Sequence, residues 1–227
     1  MKKRSIALLL LLVLLTGCGA KTEEAPWQTA YRETGKYLQE QDTLSAGSVG
    51  GEWAVIGLSR AGLLSDKAAQ SYEITAEDYV KQADSGRLDR SKSTENSRTI
   101  LGLTAAGYDA SNVAGVDLTS GLSDMNYLRI QGLNGPIWAL IALDCHSYDI
   151  PQCAEGGEQT TREGLVAEIL TSQCSDGGWT LAGDTADVDM TAMALTALAP
   201  YKDDAEVKAA VDAALTYLSD AQQADGG

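Results

Sequence analysis

Phenylalanine is absent from the 227 residues, histidine occurs once, and only 17 lysines and arginines face 32 acidic residues. Each shortage removes something. A formal charge of −15 opposes DNA, RNA and anionic headgroups, because the phosphate-driven attraction has the wrong sign. No nucleic-acid partner is expected. With one His, the densest run of metal-ligating types is Asp144-Cys145-His146. Three successive helical residues point about 100° apart and do not converge on one ion. No metal is assigned. Beyond Pro26 there is no strand-like alternation of useful length, which excludes a sheet-based domain. A hydrophobic content of 44% is ordinary for a globular chain, so wholesale disorder is excluded too. One domain with a real core is expected at this length.

The longest apolar run, Ile6 to Leu15, is ten residues, too short for the roughly 20 that span a bilayer. It follows the positive cluster Lys2-Lys3-Arg4 and precedes Leu15-Thr16-Gly17-Cys18. Together these resemble a bacterial lipoprotein leader with its lipobox. The resemblance implies cleavage before Cys18, acyl chains on that residue, and a protein held at the extracytoplasmic face of the cell membrane. Residues 1–17 are then the leader, 18–26 a polar tether, and 27–227 the folded body. Losing the leader's three positive charges takes −15 to −18.

What the body contains is a set of helical windows broken by Gly, Asn and Asp. Four segments look alike: Trp53 to Gly62, Thr99 to Gly107, Ile137 to Leu143, and Met190 to Ala199. Each is rich in Ala and Gly and apolar nearly all round, the mark of a helix buried on most sides. Aligning Gly57, Gly102, Ala139 and Ala194 gives an irregular repeat. Amphipathic stretches lie between. Val207, Val211, Leu215 and Leu218 predict one stripe, as do Leu165, Ile169 and Leu170. Thr160 with Glu163, and Asp203 with Glu206, fit capping boxes, and Asn134-Gly135-Pro136 fits a helix start. Alternating buried and half-exposed helices predict an all-α fold in two concentric layers, an α/α toroid of helix pairs.

Gln173-Cys174-Ser175-Asp176-Gly177-Gly178-Trp179 is similar to the Gln-x-x-x-Gly-x-Trp motif of squalene-hopene cyclases. Gly50-Gly51-Glu52-Trp53 keeps the end of that motif, and Gln222-Gln223-Ala224-Asp225-Gly226-Gly227 keeps its start. With Asp187-Val188-Asp189-Met190-Thr191-Ala192 following Trp179, the chain resembles the prenyltransferase and squalene-oxidase repeat proteins of Gram-positive gut bacteria. These are similar to terpenoid cyclases, protein prenyltransferases and cobalamin carriers. The resemblance implies the toroid, here open because the last motif breaks off at Gly227 and a truncated frame is expected. Within the motif, the Gly pair around Gly177 suits a tight turn. Gln173 suits its free backbone groups and Trp179 suits packing on it, and Trp53 is expected to be structural in the same way in its own fragment.

Three functions follow from the resemblance. In cyclases the matching acid motif protonates the substrate, which would make Asp189 the general acid and Asp187 its neighbour. Here Met190 replaces the motif's last Asp, and no Phe is present to line a carbocation cavity. The structural reading is that Asp187 caps a helix and Asp189 sits favourably in its first turn. Prenyltransferases use zinc and a basic patch, and this chain has neither pattern. The carriers hold a large ligand, so a non-catalytic binding protein for a corrinoid such as cobalamin, or for an apolar small molecule, is the reading taken forward. Asp187, Asp189 and Trp138 would rim its site. A repeat scaffold for protein or glycan contact is the third reading. In an oxidising compartment a Cys145–Cys153 disulfide is expected.

Overall fold

The computed structural model describes residues 25–40, 44–83 and 86–226; Cys18 and the leader lie outside them. The fold is all-α. Nine α-helices are formed by the described residues: α1 (Pro26–Gln39), α2 (Val49–Arg60), α3 (Asp66–Lys81), α4 (Ser93–Ala106), α5 (Met125–Leu128), α6 (Asn134–Asp144), α7 (Arg162–Thr171), α8 (Val188–Leu198) and α9 (Ala205–Ala221). Short 3-10 turns occur at Leu118–Leu122, Arg129–Gln131 and Ala199–Tyr201. No strand occurs among the described residues, only isolated bridges such as Val113 with Val116. No described helix is long and apolar enough to cross a membrane.

The four apolar segments form α2, α4, α6 and α8. These pack consecutively into one row, α2 on α4, α4 on α6 and α6 on α8. The remaining long helices flank them: α1 on α2, α3 on α4, α7 on α6 and α9 on α8. Between α4 and α6 the flanking place is taken by the 118–131 turns and α5. The interval from Gly102 to Ala139 is the shortest of the three between the aligned positions. The core runs along the row through Val55, Ile100, Leu103, Ile137, Leu140, Leu143, Ala194 and Leu198, all at most 2% exposed.

Local chemistry explains where the helices begin. Asn134 does start α6. The two capping boxes are displaced by one residue. Thr161, not Thr160, caps α7 and accepts the Gly164 N–H. Asp204, not Asp203, caps α9 and accepts from Glu206 and Val207. For α7 the cause is tertiary: the Thr160 N–H is donated to the Ser123 carbonyl at 2.8 Å, which fixes that residue in the preceding loop. The stripe expected on α9 is also corrected. Val207, Ala210 and Ala214 are buried, whereas Leu215 is 53% exposed. Small residues let α9 approach α8 closely, and that contact selects the Ala edge over the Leu edge. On α7, Leu165 and Ile169 are fully buried, in the expected register.

Loops between the pairs are tied by polar groups. The Arg162 Nε donates to Asp144 Oδ1 at 2.7 Å, and its Nη2 donates to the Leu143 and Tyr148 carbonyls. The Tyr201 hydroxyl donates to the other Asp144 oxygen at 2.8 Å. Asp144 is therefore committed to structure.

Candidate functional site

The turn from α7 to α8 gathers most of the motif residues. Gly177 adopts φ +95°, a left-handed conformation that favours glycine. Gly178 has no room for a side chain, since a Cβ would lie 2.5 Å from Thr191 Oγ1. The Gln173 Nε2 donates to the Gly177 carbonyl at 2.7 Å and to the Ala210 carbonyl of α9 at 2.8 Å. Trp179 is fully buried, and its indole N–H donates to the Ile169 carbonyl at the end of α7 at 2.7 Å. Its backbone N–H reaches Thr191 Oγ1 at 2.9 Å, while its carbonyl accepts the Asp187 N–H at 2.8 Å. The two motifs thus form one staple, which turns the chain from a flanking helix into the row.

That staple gives the acidic motif a structural task. Asp187 Oδ1 accepts the Met190 N–H at 2.8 Å and caps α8. Asp189 lies in the first turn, where the helix dipole favours its charge. Both side chains are exposed to water, and Met190 is buried. A carboxylic acid strong enough to protonate an alkene needs a dry, enclosed site. Neither carboxylate occupies one.

The second tryptophan assigned to the motif behaves differently. Ser48 caps α2 through the Gly51 N–H, so Gly50, Gly51 and Trp53 are helical instead of forming a turn. Trp53 therefore projects from a helix face and is 41% exposed. Its expected packing role is corrected for that reason. It meets Trp138 of α6, with ring centroids 5.3 Å apart and planes tilted by 57°. Helices α2 and α6 are separated in the row by α4, so the indoles meet over α4. Each row helix carries a stripe of exposed or half-exposed residues at helical spacing: Gly50, Trp53, Gly57 and Arg60 on α2; Thr94, Arg98, Leu101 and Ala105 on α4; Asn134, Trp138 and Ile141 on α6; Asp189, Ala192 and Thr196 on α8. Further half-exposed residues such as Ile56, Glu95, Thr104 and Leu195 lie beside them. Trp138, Asp189 and the aromatic pair belong to these stripes, whereas Asp187 precedes α8 as its cap.

Beside Trp53, the neighbouring Glu52 points the other way and is fully buried. Its Oε1 accepts the Gly47 N–H at 2.6 Å, and its Oε2 lies 3.3 Å from Arg98 Nε. Arg98 also binds Glu95 at 2.6 Å, and the Tyr79 hydroxyl donates to Glu95 at 3.3 Å. Burial raises the pKa of Glu52 above its ordinary 4.5, against the lowering effect of the Gly47 N–H and Arg98. Burial, reinforced by Glu52, also raises that of Tyr72, whose buried hydroxyl has no partner. Sequence reasoning missed Glu52 because it fills the variable place of the Gly-x-Trp fragment. The available signal was a lone carboxylate in an otherwise apolar helix.

The raised value fixes the sign of a pH effect. Below 4.5 Glu52 is neutral whether the chain is folded or not. As pH rises through the folded value, the fold must hold a buried charge, and the stability contributed by the neutral form is lost. Glu52→Gln should therefore be more stable than the parent at pH 7 and equal to it at pH 4, with Arg98 retained by Glu95. Thermal melts at both pH values test this. A variant weaker than the parent at pH 7 would show that the Arg98 pair outweighs burial.

The described cysteines are not bridged. Cys145, Cys153 and Cys174 are free thiols. The expected Cys145–Cys153 bond is not formed, because Cys145 turns its thiol back along α6 to the Ala142 carbonyl at 3.1 Å. Cys153 lies instead against Gly157 within its loop. Among the described residues no group of three His, Cys, Asp or Glu is placed to hold a metal. A cleft of about 620 Å³ opens among the loops at Arg87, Ser120, Asp124 and Gly156. Its one charged pair is internal, Arg87 Nη2 to Asp124 Oδ2 at 2.8 Å. The other Asp124 oxygen accepts the N–H groups of Asn126 and Glu158.

No family description, no curated protein and no solved structure matches this chain.

Proposed function

We propose that the chain is an extracytoplasmic, lipid-anchored binding protein built as an open α/α toroid. In this reading it belongs with the toroid repeat proteins that its motifs resemble, and it holds its ligand on the face where Trp53 and Trp138 meet. The observation that carries the reading is that aromatic pair. A tryptophan 41% exposed, held against a second indole from a non-adjacent helix, is a rigid apolar platform. Such platforms bind flat or ring-shaped ligands at low entropic cost, since two χ angles are already set. A corrinoid or another apolar small molecule fits that description. Support for binding over chemistry comes from the exposed Asp187 and Asp189, which serve α8 as cap and first-turn charge. Support for the toroid comes from the row of four apolar helices with flanking helices along it.

The expected result is a saturable heat on titrating the processed protein with cobalamin or cobinamide. Trp53→Ala should weaken it by about tenfold, the loss of one aromatic stacking contact. A silent titration with both corrinoids removes the corrinoid version. Unchanged affinity in both Trp53→Ala and Trp138→Ala moves the site away from this face.

A further inference from the structure

Helix α1 keeps its most apolar side uncovered. Trp27 is 68% exposed, Tyr31 53% and Tyr37 63%. On a helical wheel Trp27, Ala30, Tyr31, Thr34, Tyr37 and Leu38 fall in one arc of about 120°, and Glu33 and Lys36 lie outside it. Among the described residues, the contact with α2 and the loop after it is centred on the edge at Gly35. Gly35 is buried and sits so close to Leu63 that a Cβ would lie 2.4 Å from its Cδ1. One turn on, Gln39 Nε2 donates to the Leu63 carbonyl at 2.7 Å.

We infer that this arc is a membrane-seating surface that lies at the boundary between headgroups and acyl chains. Tryptophan and tyrosine prefer that depth, with an apolar body and a polar tip. Two further observations select the bilayer as occupant. Trp27 is nine residues from Cys18, a step that spans at most about 30 Å fully extended, so an acylated Cys18 keeps α1 within reach of the surface. Charge then sets the orientation. The full chain carries −15, and −18 without Lys2, Lys3 and Arg4, and is repelled by anionic lipid within about one Debye length, roughly 8 Å. Helix α1, with Arg32 and Lys36 against Glu33, is the one helix of α1–α9 with net positive charge. The body is held off while α1 turns down. Seating α1 would give the anchored protein a fixed attitude, with a stated helix at the bilayer.

This inference rests on the lipid-anchor part of the proposed function, and the test separates the two. Processed protein is bound to vesicles of phosphatidylcholine and phosphatidylglycerol carrying lipids brominated along the acyl chain. Quenching should remove about a quarter of the tryptophan emission, one indole in four. It should vanish in Trp27→Phe and persist in Trp53→Phe. An acylated, vesicle-bound protein with unquenched emission overturns the seating alone. An intact mass showing an unmodified Cys18 overturns the anchor and the seating with it. A dimer in sedimentation velocity that Trp27→Ser dissolves would assign the arc to a second copy and also overturn the inference.

Discussion

Trp179→Ala should lower stability by about 4 kcal/mol, within the usual range for truncating a fully buried tryptophan. The indole is completely buried, so its removal leaves a cavity between α7 and α8. It also removes one of the two donors to the Ile169 carbonyl, the indole N–H at 2.7 Å, and leaves the Ser172 N–H at 3.2 Å. The lost hydrogen bond adds about 1 kcal/mol to the cavity cost. Domains of this size have about 5–15 kcal/mol in total, so the variant should unfold at much lower urea. Circular dichroism against urea reads the midpoint and slope. Trp53→Ala is the control. It removes a partly exposed ring and should cost less than about 1 kcal/mol. Equal shifts for the two variants would contradict the opposite roles assigned to these two tryptophans.

Gly135→Ala should be the next most damaging, by about 3 kcal/mol. A Cβ there would lie 2.0 Å from the Leu128 carbonyl oxygen and 2.9 Å from Ser93 Oγ. Leu128 presents backbone, which cannot swing aside, so α5 and the start of α6 must separate. The contrasting variant is Gly57→Ala. Its Cβ meets nothing within 4 Å and lies inside α2, where Ala is a better helix former by about 1 kcal/mol. Gly57→Ala should raise the urea midpoint while Gly135→Ala lowers it. If both lower it, crowding is not the reason for Gly135.

These glycines also show how far a one-dimensional reading reaches. Aligning the apolar segments makes Gly57 and Gly102 equivalent positions. In the fold, Gly57 faces open space, whereas a Cβ at Gly102 would lie 2.3 Å from the Tyr72 hydroxyl. Equivalence in the chain is not equivalence of surroundings. The Gly-x-Trp fragments teach the same lesson. Trp179 follows a turn and goes inside; Trp53 is already helical and stays half outside. The Cys145–Cys153 pairing was an inference from compartment and spacing, and it ignored that a thiol at a helix end can satisfy itself on the carbonyl one turn back. Nor could the pairing of Trp53 with Trp138 be read in advance, because the two are far apart in the chain and meet over a third helix.

The features legible along the chain are local: four apolar helices, the amphipathic α7 and α9, the turn at Gly177 and the starts of α6, α7 and α9 to within a residue. These depend on capping, glycine conformations and the period of apolar residues, which act between near neighbours. Which edge of each helix is covered was decided only by the tertiary structure. Burial belongs to pairs of surfaces brought together from distant parts of the chain. Glu52 and Trp53 adjoin in sequence, yet α4 buries the first, and the second is left to meet Trp138.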